Sequence, residues 1–69
     1  MSIGRVVFFS AAKGYGFIKS EDDGSEHFVH LTSVKAAGLS VLRSGQQVSY
    51  QLLVARNGKV SAVDLALLD

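Results

Sequence analysis

Four aromatic rings recur at two-residue spacing in two nearby segments: Tyr15 and Phe17 within KGYGFI (Lys13 to Ile18), and Phe28 and His30 within HFVH (His27 to His30). Alternate side chains of an extended chain point to opposite sides of a sheet. Each pair therefore shares a face, and pairing the two segments as adjacent strands would gather all four rings on one surface. Lys13 and Lys19 have the same parity as Tyr15 and Phe17 and flank them. Flat π faces in a row can stack unpaired bases while ammonium groups meet the phosphates. The opposite parity carries Gly14, Gly16 and Ile18 in one segment and His27, Val29 and Leu31 in the other. A core built on Ile18 and Val29 would leave the aromatics outside. Each large side chain left exposed forgoes roughly 1.5–3 kcal/mol of burial, and an apolar patch maintained at that cost usually marks a binding surface.

Other chemistries fit these residues poorly. His27 and His30 are three apart, which in a strand sends them to opposite faces, and there is no cysteine to complete a metal site. Gly14 and Gly16 begin like a dinucleotide-binding GxGxxG, but Lys19 occupies the third glycine position and no βαβ pattern follows. A turn and close backbone packing beneath the rings explain these glycines better. Glu21, Asp22 and Asp23 lack the spacing of a calcium loop and read as a solvated turn that repels phosphate locally. No serine has a histidine and an acid arranged around it, so neither an enzyme nor a cofactor is expected.

The elements that must position the rings are short strands separated by turn signals, without confident helical periodicity, which points to an all-β domain. The candidate strands are Ile3 to Ser10, Gly16 to Ser20, Glu26 to His30, Gln46 to Val54 and Lys59 to Leu67. Asp23-Gly24 marks a hairpin between the second and third, and Asn57-Gly58 a stronger one between the fourth and fifth. In the fourth, Val48, Tyr50, Leu52 and Val54 alternate with polar Gln47, Ser49 and Gln51, the pattern of a half-buried strand. Leu31 to Gly45 reads as a long connection, although Val34, Ala36, Ala37 and Leu39 would support one helical turn. Five strands joined in this way suit a small closed barrel, which removes exposed sheet edges.

Sixty-nine residues make one small domain, 1–69, near the lower limit for a fold held by its core alone. Without cysteine there is no disulfide framework, and stability has to come from packing and sheet hydrogen bonds. No apolar run approaches the roughly 20 residues of a bilayer span, and Val6 to Phe9 is shorter than the about 7–15 residues of a signal-peptide core. The expectation is a soluble, cytoplasmic protein with no membrane or small-molecule partner. The formal net charge of +1, spread along the chain, supplies little nonspecific attraction to nucleic acid, so stacking has to carry the binding.

With these segments in place, the chain resembles a cold-shock domain over essentially its whole length. KGYGFI stands where that family has KGFGFI or KGYGFI, and Phe28-Val29-His30 where it has FVH. Gly4-Arg5-Val6 before an aromatic pair, the Asp-Gly turn, Gly45-Gln46 and the Asn-Gly turn follow in the family order. The resemblance implies a five-stranded antiparallel oligonucleotide-binding-type (OB-fold) barrel that binds single-stranded RNA and DNA with little sequence preference. It also implies a role in RNA chaperoning or in control of transcription and translation under cold or stress. Carried onto this sequence, it makes Tyr15, Phe17, Phe28 and His30 the stacking platform. Phe8 takes the place of the family tryptophan, Phe9 follows it, Lys13 lies near phosphates, and Ser10 replaces an asparagine that helps hold a base.

Several positions depart from the family pattern. Tryptophan is absent, and strict alternation would put Phe8 on the inward Val6 side unless a bulge turns it out. Val7 replaces a lysine, Leu31 a phenylalanine, Leu39 a loop aromatic, and His27 a small inward-facing aliphatic. A working but weaker binder is expected, with Lys13, Lys19 and Arg56 or Lys59 meeting the backbone. Phe9 and His27 are expected to be mainly structural. The rival reading is a protein-interaction module on the same barrel, in which Val7, Leu31 and Leu39 form a dimer or partner surface; otherwise the expected state is a monomer.

Overall fold

In the computed structural model, which describes residues 2–68, the two-residue alternation becomes five strands and one short helix. They run in the order β1 (Ser2–Ser10), β2 (Tyr15–Ser20), β3 (Glu26–His30), α1 (Leu31–Ala36), β4 (Gln47–Val54) and β5 (Val60–Leu67). The strands close into a barrel in the order β1-β2-β3-β5-β4. All contacts are antiparallel except β3 with β5, which meet in parallel at Phe28 and Ser61. The expected strands all form, with bounds shifted by at most a residue. No described helix is long and apolar enough to cross a membrane.

The core consists of Val6, Ile18, Val29, Val34, Leu42, Val48, Tyr50, Ala62 and Leu65, with Phe9, Leu31, Ala37 and Leu39 packed against it and partly buried. Ile18 and Val29 are fully buried, so the barrel is filled from the aliphatic parity of β2 and β3 and the ring parity is left outside.

Two features differ from the sequence expectation. The connection after β3 contains the six-residue helix α1, which packs against β3 and β5. So short a helix has little stability of its own and depends on tertiary contacts. Here Val34 is buried, and His30 caps the N-terminus by accepting the Thr32 N–H at 3.2 Å through Nδ1. In β4, Val48 and Tyr50 are buried, but Leu52 and Val54 are exposed along with Leu53. The neighbouring strand β1 reaches only to Tyr50, paired with Ser2. The β4–β5 hairpin therefore extends past the barrel, and alternation in its outer half no longer reports burial.

Bulges set the curvature. Ser49 pairs with Ala66 and Gln51 with Val63, which leaves Tyr50 opposite two β5 residues, Asp64 and Leu65. Asp64 adopts φ 55° there, a left-handed conformation that aspartate tolerates better than most residues. Such an insertion bends its strand. In the β2–β3 turn, Gly24 has φ 77° and Asp23 Oδ1 accepts the Ser25 N–H at 3.0 Å and the Ser25 hydroxyl. These bonds from Ser25 hold the Asp23 carboxyl below the usual range.

Tyr50 is the largest fully buried side chain, lying 5.8 Å from the half-buried His27 ring. Its hydroxyl has no hydrogen-bond partner of normal geometry. Burial pushes the phenol above its ordinary 10.0, with Ser20 pulling the other way. An unsatisfied buried hydroxyl costs about 1 kcal/mol or more, so Tyr50→Phe is expected to leave stability unchanged or raise it by about 1 kcal/mol in urea unfolding near neutral pH. As pH rises past 10.0, the unfolded phenol ionises while the folded one keeps its proton, and native stability falls. The phenylalanine variant should lose less stability over that alkaline range.

Candidate nucleic-acid interface

The candidate surface is built on β1, β2 and β3. Tyr15 pairs with His30 and Phe17 with Phe28 across β2 and β3, so these four rings rise from one side of the sheet. Phe8 joins them through a bulge in β1: Val6 pairs with Ile18 and Phe8 with Phe17, and Val7 is the extra residue between. The insertion resets the alternation. Val6 stays inside, Phe8 emerges at 39% exposure, and Phe9 turns in against the core.

The rings form a continuous mosaic. Tyr15 and Phe28 are stacked with centroids 5.8 Å apart. Phe17 meets Tyr15 and Phe28 edge to face, each at 6.1 Å. Phe8 lies 5.6 Å from Phe17 and 6.1 Å from Tyr15, and His30 is 6.2 Å from Phe28. These separations lie in the range in which aromatic pairs attract one another, so the rings hold each other in place and present a preorganised apolar surface. The His30 ring at the end of the mosaic also caps α1.

Two glycines allow this arrangement. Gly14 turns the chain between β1 and β2 at φ 83°. A Cβ at Gly16 would stand 2.3 Å from the Phe8 carbonyl oxygen and 2.8 Å from both Phe9 Cα and Phe9 Cδ1. The bulge that turns Phe8 outward thus presses directly on the backbone of β2.

The polar residues lie around the rim. Ser10 organises the β1–β2 turn: its hydroxyl accepts the Lys13 N–H at 3.2 Å and its carbonyl the Gly14 N–H at 2.7 Å. Lys13 is exposed beside it. At the other end of β2, exposed Lys19 pairs in register with Arg5 and Glu26, and Arg5 is bridged to Glu21 at 3.2 Å. Lys59 lines a cleft of about 410 Å³ with Phe28, Ala55, Val60 and Ser61, which places it beside the Phe28 end of the mosaic. Arg56 is exposed in the β4–β5 turn. Positive charge at the surface is sparse and partly offset by neighbouring carboxylates.

Not every candidate joins the rings. Phe9, Leu31 and Leu39 are half-buried against the core, and the Leu31 N–H donates to the Gly14 carbonyl at 2.9 Å. Of the three residues in the rival interaction surface, only Val7 is exposed. The exposed large aliphatics cluster instead at the outer end of the β4–β5 hairpin, which strand alternation alone does not identify.

Residues 2–68 match the family model described as the 'Cold-shock' DNA-binding domain. The chain is 46% identical over 66 residues to a probable cold shock protein of Sinorhizobium fredii, covering 94% of this chain and 96% of that protein. It is 45% identical over 65 residues to the cold shock-like protein CspA of Rickettsia bellii, covering 94% and 91%. With the cold shock protein CspB of Bacillus caldolyticus it shares 40% identity over 62 residues, covering 90% and 92%.

Proposed function

This chain belongs to the cold-shock domain family, and on that premise we propose that it binds single-stranded RNA and DNA by stacking unpaired bases on Phe8, Tyr15, Phe17, Phe28 and His30. The observation that carries this reading is the uninterrupted mosaic of these rings on the outer face of β1–β3. Bases offer their π faces whatever their identity, so stacking tolerates sequence. A duplex keeps those faces occupied and is excluded. Lys13, Lys19 and Lys59 meet phosphates at the rim, and a single chain carries the whole platform.

Binding only the open form of an RNA shifts its folding equilibrium toward that form without ATP. A protein acting this way serves as an RNA chaperone, or as a regulator of transcription or translation in the cytoplasm during cold or stress.

Fluorescence anisotropy with labelled oligothymidine and its duplex tests the reading. The expected result is selective binding of the single strand, with a log–log salt slope of about −1 to −2, since each neutralised phosphate on a single strand contributes about −0.7. Equal binding to duplex, or a slope several times steeper, would indicate electrostatic attachment instead. Phe8→Trp enlarges the ring at the bulge and should tighten oligothymidine binding about 3–10-fold, or about 0.6–1.4 kcal/mol, a fraction of the ~1–3 kcal/mol of one whole base–aromatic stack.

A further inference from the structure

We propose that Thr32 is a positioning residue for the stacking platform: it holds His30 in one orientation and one protonation pattern, and so fixes the end of the ring mosaic before a strand arrives. His30 needs such a restraint more than the other rings do. Phe8, Tyr15, Phe17 and Phe28 each lie among other rings, whereas His30 meets Phe28 alone in the mosaic, at 6.2 Å. His30 is also exposed. Ring contact on one side leaves such a side chain free to turn, and ordering it on binding costs affinity.

The restraint comes from α1. His30 is the extended residue that caps this helix, at φ −95° and ψ 152°. Its Nδ1 lies 3.2 Å from the Thr32 backbone nitrogen and 3.0 Å from Thr32 Oγ1. A backbone N–H can only donate, so Nδ1 is the bare acceptor nitrogen, and the Thr32 hydroxyl donates to it as well. In the neutral ring the hydrogen then resides on Nε2. Thr32 is held in turn by the fold, because Val34, two residues on, is fully buried in the core, and α1 packs against β3 and β5. The restraint therefore runs from the barrel core through α1 to Thr32, His30 and Phe28.

For a strand approaching the platform, this sets the His30 ring in place beside Phe28 without cost at the moment of binding, a consequence that rests on the stacking reading. It also sets the polarity of the open ring edge. Nε2 lies across the five-membered ring from Nδ1, so its N–H points away from α1, and no described residue accepts it. The edge left open is a donor rather than a lone pair. Thr32 thus controls the platform from outside it, through one side chain.

Thr32→Val keeps the shape and the backbone N–H of this residue and removes its hydroxyl, while Thr32→Ser keeps the hydroxyl. In the free protein at about pH 8.5, where imidazole rings are neutral, the His30 Hα–Hβ couplings should report one χ1 rotamer in wild type and in Thr32→Ser. In Thr32→Val they should report an average over several. Long-range 15N correlation should show Nδ1 bare and Nε2 protonated in wild type. Oligothymidine affinity, read by anisotropy, should fall about 2–5-fold in Thr32→Val and less than about 2-fold in Thr32→Ser, within the worth of one hydrogen bond. Introduced into His30→Phe, which keeps a ring without nitrogens, Thr32→Val should change affinity by no more than about 1.5-fold, as non-additivity requires of a residue acting through His30. Equal losses in the two backgrounds, or a single His30 rotamer in Thr32→Val, would overturn the proposal. The couplings are measured without nucleic acid, so failure of this proposal and failure of the stacking reading are distinguishable.

Discussion

Phe17→Ala is expected to weaken oligothymidine binding by about 10–100-fold while leaving the fold intact. Phe17 touches Phe8, Tyr15 and Phe28, so it lies at the centre of the mosaic. Its removal deletes one stacking surface, worth about 1–3 kcal/mol by alanine substitution, and takes away the edge that orients the neighbouring rings. The side chain stands half-buried on the outer face, opposite the aliphatic core parity, so losing its contacts with the neighbouring rings should lower unfolding stability by about 1–2 kcal/mol while the barrel core stays intact. Anisotropy titration alongside urea unfolding separates the two effects. Unchanged affinity would remove Phe17 from the platform, and loss of both affinity and fold would show that the ring is a structural element.

The largest stability effect is expected at Gly16. An alanine methyl there would stand 2.3 Å from the Phe8 carbonyl oxygen and 2.8 Å from Phe9 Cα. Those contacts are backbone, which cannot rotate aside as the end of a flexible side chain can. Relief requires β1 and β2 to separate at the bulge, at a cost of about 3 kcal/mol for overpacking of this kind. In a domain this small, each kcal/mol lowers Tm by roughly 4–8 °C, so Gly16→Ala should melt about 12–24 °C below wild type. Where the variant is still folded, Phe8 should be displaced and oligothymidine affinity should fall with stability. A melting point within a few degrees of wild type would mean that the strands have slack at the bulge.

Much of this arrangement follows from residue order alone. Period two along Lys13 to Lys19 and His27 to His30 separates Ile18 and Val29, both fully buried, from the rings on the other side. The Asp23-Gly24 and Asn57-Gly58 turns locate the hairpins because Gly24 and Gly58 adopt the positive φ that such turns need. The side taken by Phe8 is a different matter. Alternation from Val6 puts it inside, and only the inserted Val7 brings it out. The reason lies in pairing with β2 rather than in the local residues. α1 leaves only a weak trace in the sequence, the one turn that Val34, Ala36, Ala37 and Leu39 would support, and exists because Val34 has a place in the core. The exposure of Leu52 and Val54 depends on where β1 ends, a tertiary fact that the alternating pattern of β4 does not contain.

The central claim is that bases lie on these rings, and the protein has a built-in reporter for it. The chain contains two tyrosines and no tryptophan, so in the Tyr50→Phe background Tyr15 is the sole intrinsic fluorophore of consequence. Tyr15 sits within the mosaic, against Phe28 at 5.8 Å. Titrating that variant with unlabelled oligothymidine should quench Tyr15 emission in a saturable way that tracks the anisotropy isotherm, and the duplex should leave it unchanged. Binding seen by anisotropy with Tyr15 emission unaltered would contradict the account, because the strand would then be held elsewhere on the barrel.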